Sequence, residues 1–156
     1  MFEPLARYAE MGAALCPIPS GGKSPVGHIS SFAHDWSRDP AQWSDWAARW
    51  PGCNWILVAG PSNKIVIDID VKKVGRNVAW QTWVEWCAKN DSPVLLPHVQ
   101  TPSQGWHIYC DVPPDVDSLS LRQPPLVSGI IDTRAGMGFV LIPPSHVEGS
   151  YYTWMV

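Results

Sequence analysis

Alternation of hydrophobic and polar positions divides the 156-residue chain into short strands and a few amphipathic helices. Apolar residues at helical spacing predict helices over 2–13, after Asp39, and over 77–90. We expect Asp39 to cap the second helix and Pro40 to be its first residue. Apolar runs bounded by turn residues predict strands over 14–19, 54–59, 64–69, 98–101, 106–112, 126–133, 138–144 and 150–156.

Turn residues between these strands indicate how the strands connect. "GPSN" predicts a hairpin of strands 54–59 and 64–69, and "PSQG" predicts a hairpin of strands 98–101 and 106–112. Strands outnumber helices and the connections are short, which is typical of an α+β fold with an antiparallel or mixed sheet and helices packed on one face. No repeat or linker divides the chain, so we expect a single domain over residues 1–156.

Composition and charge narrow the class of protein. The chain is 46% hydrophobic and 16% charged, and no apolar run approaches the roughly 20 residues of a membrane span. The first residues lack the layout of a signal peptide, so we expect a cytoplasmic protein with no membrane partner. The net charge of −3 argues against a protein that coats DNA through many basic side chains, but an enzyme that holds nucleic acid weakly stays possible.

The four cysteines form no CxxC pair and no zinc-like spacing with histidines. We expect each to pack as a small apolar residue in a reducing cytosol. They are Cys16, Cys53, Cys87 and Cys110.

The stretch "IVIDID" (65–70) places two carboxylates on one strand. Because side chains alternate between the faces of a strand, Val66, Asp68 and Asp70 share one face, and the isoleucines form the other, core-facing side. The two acids lie about 7 Å apart along the strand, and like charges that close repel. A divalent cation would remove this repulsion. Alternatively, both acids lie at a solvated strand end or cap the next turn.

Other strands also deliver polar groups near their ends. His107 follows the turn 101–105, and Asp132 and Arg134 have the same parity in "IIDTR". An acid for metal beside an arginine for phosphate suits a polyphosphate ligand, although a lone histidine or a surface Asp–Arg pair is often unrelated to function. Acids from different strands that converge on cations about 4 Å apart are what two-metal phosphoryl transfer requires.

The loop "PIPSGGKS" is only superficially a phosphate loop. Pro17 stands where the first glycine is needed, and Pro25 stands where a helix should begin, and both residues argue against a Walker nucleotide fold. Lys23 in this flexible loop either reaches a phosphate or is simply solvated.

Four segments, in this order, resemble the bifunctional DNA primase/polymerase (prim-pol) domain of the archaeo-eukaryotic primase superfamily. They are the helix, strand and Gly-Lys loop (8–25), the Trp-rich helix end with two strands (47–70), the Thr-Pro-Ser turn with its histidine (99–109), and the Asp-x-Arg strand with its Pro-Pro-Ser loop (131–145). The segment 149–154 resembles the closing strand. Gln104 and Ala135 depart from the pattern, because the family often has glycine at both positions.

This resemblance implies a small N-terminal α/β unit joined to a sheet like that of an RNA-recognition motif. It implies that Asp68, Asp70 and Asp132 bind two Mg²⁺ or Mn²⁺ ions and carry catalysis. By the same resemblance, His107 contacts the phosphates of the incoming nucleotide. Residues near that nucleotide would be Ser103, Arg134 and, more loosely, Lys23.

The implied activity is template-directed nucleotidyl transfer that makes and extends primers in plasmid or phage-type DNA replication. The implied partners are a single-stranded DNA template with its primer, and dNTP or NTP. Family members are commonly fused to a helicase, and we expect neither a helicase nor a zinc domain within these 156 residues. One alternative is a non-catalytic module that binds single-stranded nucleic acid or nucleotide. A weaker alternative is a metal-dependent nuclease or a DxD sugar-nucleotide transferase.

Overall fold

The computed structural model describes residues 2–24 and 27–155, and within them the fold is a mixture of α and β elements, as predicted. The helices are α1 (Ala6–Glu10), α2 (Pro40–Arg49) and α3 (Arg76–Lys89). The strands are β1 (Leu15–Ile18), β2 (Asn54–Val58), β3 (Lys64–Ile69), β4 (His98–Gln100), β5 (Trp106–Asp111), β6 (Ile131–Arg134), β7 (Phe139–Ile142), β8 (His146–Val147), β9 (Ser150–Tyr151) and β10 (Thr153–Trp154). The sheet's likeness to an RNA-recognition motif stays a prediction.

The strands form two main sheets and a short ribbon. The first sheet has the order β1-β2-β7, the second has the order β10-β4-β5-β3-β6, and β8 pairs with β9. Every pairing between these strands is antiparallel. The predicted β4–β5 hairpin is confirmed, with Gln100 opposite Trp106.

The predicted hairpin of β2 and β3 is wrong, because β2 belongs to the first sheet and β3 to the second. Gly60–Ser62 forms a 3₁₀ turn that carries the chain between the sheets. The chain passes between the sheets again after β6, because β6 belongs to the second sheet and β7 to the first. The sequence had predicted only a short turn between these two strands. The predicted closing strand is likewise divided into β9, which pairs with β8, and β10, which pairs with β4.

These two crossings contact each other. The Gly60 amide donates to the Gly136 carbonyl at 2.6 Å, and the Ala59 amide donates to the Gly138 carbonyl at 2.8 Å. A Cβ atom on Gly60 would lie 2.5 Å from the Gly136 oxygen. Only glycine therefore allows the two segments to approach this closely.

Two hydrophobic cores lie on opposite faces of the second sheet. Ile67 and Ile69 pack with Trp83 and Cys87 of α3 in one core. Val66, from the other face of β3, is fully buried in the core that includes the first sheet. The isoleucine face of β3 faces a core, as predicted, and the first sheet covers part of the opposite face as well.

Helix α2 begins as predicted, whereas the first helix is shorter than the predicted 2–13 and spans Ala6–Glu10 after a 3₁₀ turn at Glu3–Leu5. The Asp39 carboxylate accepts a hydrogen bond from the Ala41 amide at 2.9 Å, and Pro40 is the first residue of α2. Trp43 is fully buried in the first core, and Trp46 and Trp50 pack against it.

The remaining expectations concern cysteines, the glycine-rich loop and membrane spans. All four cysteines are free, and three of them are buried. Pro25, which decided against a Walker loop, lies outside the described residues. Among the residues that are described, no helix combines the length and apolar character needed to cross a bilayer.

Candidate functional site

A row of polar residues crosses the second sheet. Asp68 is on β3, which lies between β5 and the edge strand β6, and it is directly opposite His107 of β5 on one side and Asp132 of β6 on the other. Directly opposed residues of antiparallel strands point to the same face, with Cβ atoms about 5 Å apart. The side chains of Asp68, His107 and Asp132 therefore lie on one face of the sheet.

Arg134 lies between the two carboxylates. Its Nη2 atom is 3.3 Å from Asp68 Oδ2 and 3.6 Å from Asp132 Oδ2. Arg134 follows Asp132 by two residues on β6, so both side chains project from the same face. The guanidinium offsets the repulsion that two facing carboxylates would otherwise have.

Asp70 lies just beyond β3, where the chain turns. Its carboxylate accepts a hydrogen bond from the Lys72 amide at 2.8 Å, and its own amide donates to the Ile130 carbonyl at 2.9 Å. The alternative that an acid caps the next turn is therefore correct for Asp70. Its side chain nevertheless lines the same cavity as Asp68 and Asp132.

We call this space the carboxylate cavity. It has a volume of about 380 Å³. Its polar walls are Asp68, Asp70, Lys73, Asp132, Arg134 and the turn 128–130.

His107 is buried beside Asp68. Its Nε2 atom is 3.7 Å from Asp68 Oδ1, and its ring centroid is 5.7 Å from that of Tyr152. Burial lowers the pKa of His107 below its ordinary value, although the Asp68 carboxylate and the Leu141 backbone oppose this effect. The Nδ1 atom has no hydrogen-bond partner of normal geometry among the described residues, so the nearby Leu141 backbone does not satisfy it.

A second space, the inter-sheet cavity, has a volume of about 620 Å³ and separates the polar row from the first sheet. Asp68, His107 and Arg134 line it from the second sheet, and residues 139–141 line it from the first. Tyr152 and Lys23 also line this cavity, together with Phe32, Gln123 and Met137. Burial raises the pKa of Tyr152 to about 12, and the nearby Asp68 charge adds to the effect, so its hydroxyl is neutral at pH 7.

A third space, the lysine cavity, has a volume of about 320 Å³. Lys23, Lys72 and Ser103 line it, together with one acid, Glu148. Lys23 and Tyr152 line both this cavity and the inter-sheet cavity, so the two spaces adjoin.

The structure thus brings most of the predicted site residues together. Asp68, Asp132, His107 and Arg134 form one cluster, and Asp70 shares the cavity of the three acids. Lys23 lies on the adjoining wall, whereas Ser103 is exposed and lines only the lysine cavity.

Sequence reasoning missed Lys72, Lys73 and Tyr152. The lysines follow Asp70 after one intervening residue, Val71, and this closeness in the chain was the only sequence signal for them. Tyr152 was not predicted as a site residue because the closing segment was interpreted as a single strand.

Gln104, in the turn that carries Ser103, has a left-handed backbone with φ of 71°. This conformation favours glycine and explains in physical terms why a glycine suits this position. Here the Gln104 side chain accepts hydrogen bonds from Arg76 at 3.1 Å and from Gln100 at 2.5 Å.

The donor set of the carboxylate cavity suits a hard divalent cation, because Mg²⁺ and Mn²⁺ prefer carboxylate oxygens. No group of three His, Cys, Asp or Glu side chains within residues 2–24 and 27–155 is already arranged to hold an ion. A cation shared by Asp68 and Asp132 would have to replace the Arg134 guanidinium between them. The residues therefore fit a metal in chemistry, and binding requires their rearrangement.

Comparisons with known proteins show which family the chain belongs to. No curated protein matches it. The sequence model described as "Bifunctional DNA primase/polymerase, N-terminal" matches residues 5–156, which is nearly the whole chain. This family consists of primase/polymerase nucleotidyltransferases, whose substrates are nucleic acid and nucleotides. The protein therefore belongs to the bifunctional DNA primase/polymerase family.

Proposed function

We propose that the protein is a template-directed DNA primase/polymerase that uses two divalent cations. The observation that carries this proposal is the facing pair Asp68 and Asp132, flanked by His107 and adjoining a cavity lined by lysines. Plasmid or phage-type replication, alongside a helicase, is the setting that the family suggests for it.

The nucleotide would occupy the inter-sheet and lysine cavities. Arg134 and Lys23 would pair with phosphate oxygens, and the Ser103 hydroxyl and the Lys72 amine would hold the far end of the triphosphate. Because burial lowers the pKa of His107, its ring is neutral at pH 7 and donates one N–H to a phosphate oxygen.

Asp68, Asp70 and Asp132 would hold the cations. When bound, these ions would neutralise charge on the attacking 3′ oxygen and on the leaving pyrophosphate. In the reaction the 3′ oxygen bonds to the α-phosphorus, the bond to pyrophosphate breaks, and the hydroxyl proton passes to solvent. The remaining work of the protein is positioning and exclusion of water.

Primer extension with purified protein, Mn²⁺ and a nucleoside triphosphate tests the proposal. We expect Asp68→Asn and Asp132→Asn each to lower incorporation by about 10²-fold or more, since each removes charge stabilisation from the reacting centre. Asp115→Asn, which changes an exposed carboxylate outside the three cavities, is the matched control. Unfolding midpoints of all three variants show whether the fold is retained.

A wild-type rate of incorporation in Asp68→Asn would rule out this mechanism. One observation favours the alternative of a binding module: Arg134 already pairs with both Asp68 and Asp132 without a metal. Tight binding of nucleotide or single-stranded DNA with no incorporation would support that function. Release of nucleotides from DNA, or turnover of a sugar nucleotide, would reveal the nuclease or the sugar transferase.

A further inference from the structure

Two consecutive lysines after Asp70 line different cavities. Lys72 lines the lysine cavity with Lys23 and Ser103, whereas Lys73 lines the carboxylate cavity. Both lysines belong to one turn, which two hydrogen bonds stabilise. The Lys72 amide donates to the Asp70 carboxylate at 2.8 Å, and the Gly75 amide donates to the Val71 carbonyl at 2.8 Å. The chain thus directs two identical cations to opposite sides of one turn.

Lys73 lies along the turn 128–130. A Cβ atom on Gly129 would be 3.1 Å from Lys73 Nζ and 3.6 Å from its Cδ, so the lysine stem lies against this glycine. Lys73 takes part in none of the ion pairs found among the described residues. Its ammonium group therefore adds an unpaired cation to a cavity that already has three carboxylates.

The chemistry of nucleotidyl transfer indicates that the lysine cavity and the carboxylate cavity bind different substrates. The attacking and leaving oxygens lie roughly in line across the α-phosphorus. Lys23, Lys72 and Ser103 all lie on the lysine-cavity side, which suits the leaving pyrophosphate. Asp68 and Arg134 line both the inter-sheet and the carboxylate cavities, so they form the boundary between them. The attacking 3′ end must then approach from the carboxylate cavity.

We propose that the carboxylate cavity receives the 3′ end of the primer strand and that Lys73 binds a backbone phosphate of that strand. Lys73 is then a positioning residue for the primer, and Lys72 serves the nucleotide. This inference rests on the proposed function, because it assigns the two substrates of that reaction to two sides of one site.

A comparison of Lys73→Ala with Lys72→Ala tests the assignment, since the two variants remove the same charge from adjacent positions. The first measurement is binding of a fluorescent primer–template by anisotropy, without nucleotide, at several salt concentrations. We expect Lys73→Ala to weaken binding about fivefold to tenfold at 0.1 M salt and to reduce the salt slope by about 1, as loss of one phosphate contact predicts. Lys72→Ala should leave both quantities near wild type.

The second measurement is the KM for nucleotide in primer extension at saturating primer–template. We expect Lys72→Ala to raise this KM about tenfold and Lys73→Ala to change it less than twofold, because each lysine contacts a different substrate. Lys73→Arg should restore primer binding, since it keeps the charge. Equal loss of primer binding in Lys72→Ala and Lys73→Ala, or no loss in Lys73→Ala, would overturn the assignment.

The measurement of primer–template binding does not depend on catalysis. Wild-type protein that binds the primer–template through Lys73 but incorporates no nucleotide would refute the proposed function and leave the strand-binding role of Lys73 in place. Wild-type protein that incorporates nucleotide with no contribution from Lys73 would refute only the assignment.

Discussion

The ion pairs of Arg134 predict that this residue competes with metal for the carboxylates. The change is Arg134→Gln, which keeps a polar side chain and removes the positive charge. In the wild type, Nη2 lies 3.3 Å from Asp68 and 3.6 Å from Asp132. A cation that binds both carboxylates must first break these two contacts, and in the variant it does not have to.

The magnitude follows from the geometry and exposure of the pairs. Unit charges 3.3 Å apart attract by about 5 kcal/mol at an effective dielectric constant of about 20. The Arg134 side chain is 37% exposed and that of Asp68 is 26% exposed, so solvent reduces each pair to about 1 kcal/mol or less. Two such pairs amount to about 1–2 kcal/mol, which corresponds to Mn²⁺ binding about fivefold to thirtyfold more tightly in the variant.

Titration of free Mn²⁺ followed by electron paramagnetic resonance, without nucleotide, measures this affinity directly. Arg49→Gln is the matched control, because this exposed arginine lies on α2 and lines none of the three cavities. In an Asp132→Asn background the effect of Arg134→Gln should shrink, since one of the two pairs is already absent. Unchanged or weaker Mn²⁺ binding in Arg134→Gln would show that the guanidinium does not compete.

Two further predictions concern stability. Gly60→Ala should destabilise the fold by about 3 kcal/mol or fail to fold, because its Cβ would lie 2.5 Å from the Gly136 carbonyl oxygen, and a urea midpoint equal to the wild type would contradict the close crossing. Burial raises the pKa of Cys16 to about 12, so the folded thiol keeps its proton at pH 10 while the unfolded thiol ionises above about pH 8.5. The unfolding free energy should therefore fall between pH 8 and pH 10, and a fall of the same size in Cys16→Ala would refute this contribution.

Local patterns predicted some elements closely and others only in part, since the strand predicted over 126–133 is Ile131–Arg134. The predicted strand 64–69 matches β3, and the shared face of Asp132 and Arg134 follows from simple alternation, which the contacts of Arg134 confirm. These features depend on positions two residues apart, so they are encoded within a few residues of sequence. The roles of the site residues in catalysis and binding stay predictions.

The pairing of strands was less predictable. "GPSN" has the residues of a hairpin turn, but Gly60–Ser62 instead passes the chain from one sheet to the other. What decides this is contact with Gly136, a residue distant in sequence. Lys72 and Lys73 were not predicted as site residues for a similar reason, since the cavities they line are formed by segments far apart in the chain.

The two crossings at Gly60 and Gly136 also influence the spacing of the sheets around the proposed nucleotide site. Both sheets wall the inter-sheet cavity, and the glycine contact ties together the two segments that connect them. A bulkier residue at this junction would spread the two walls and move Leu141 away from His107. Under the proposed function, nucleotide fit thus depends on a junction that touches no substrate, and selection for activity should retain glycine at both positions.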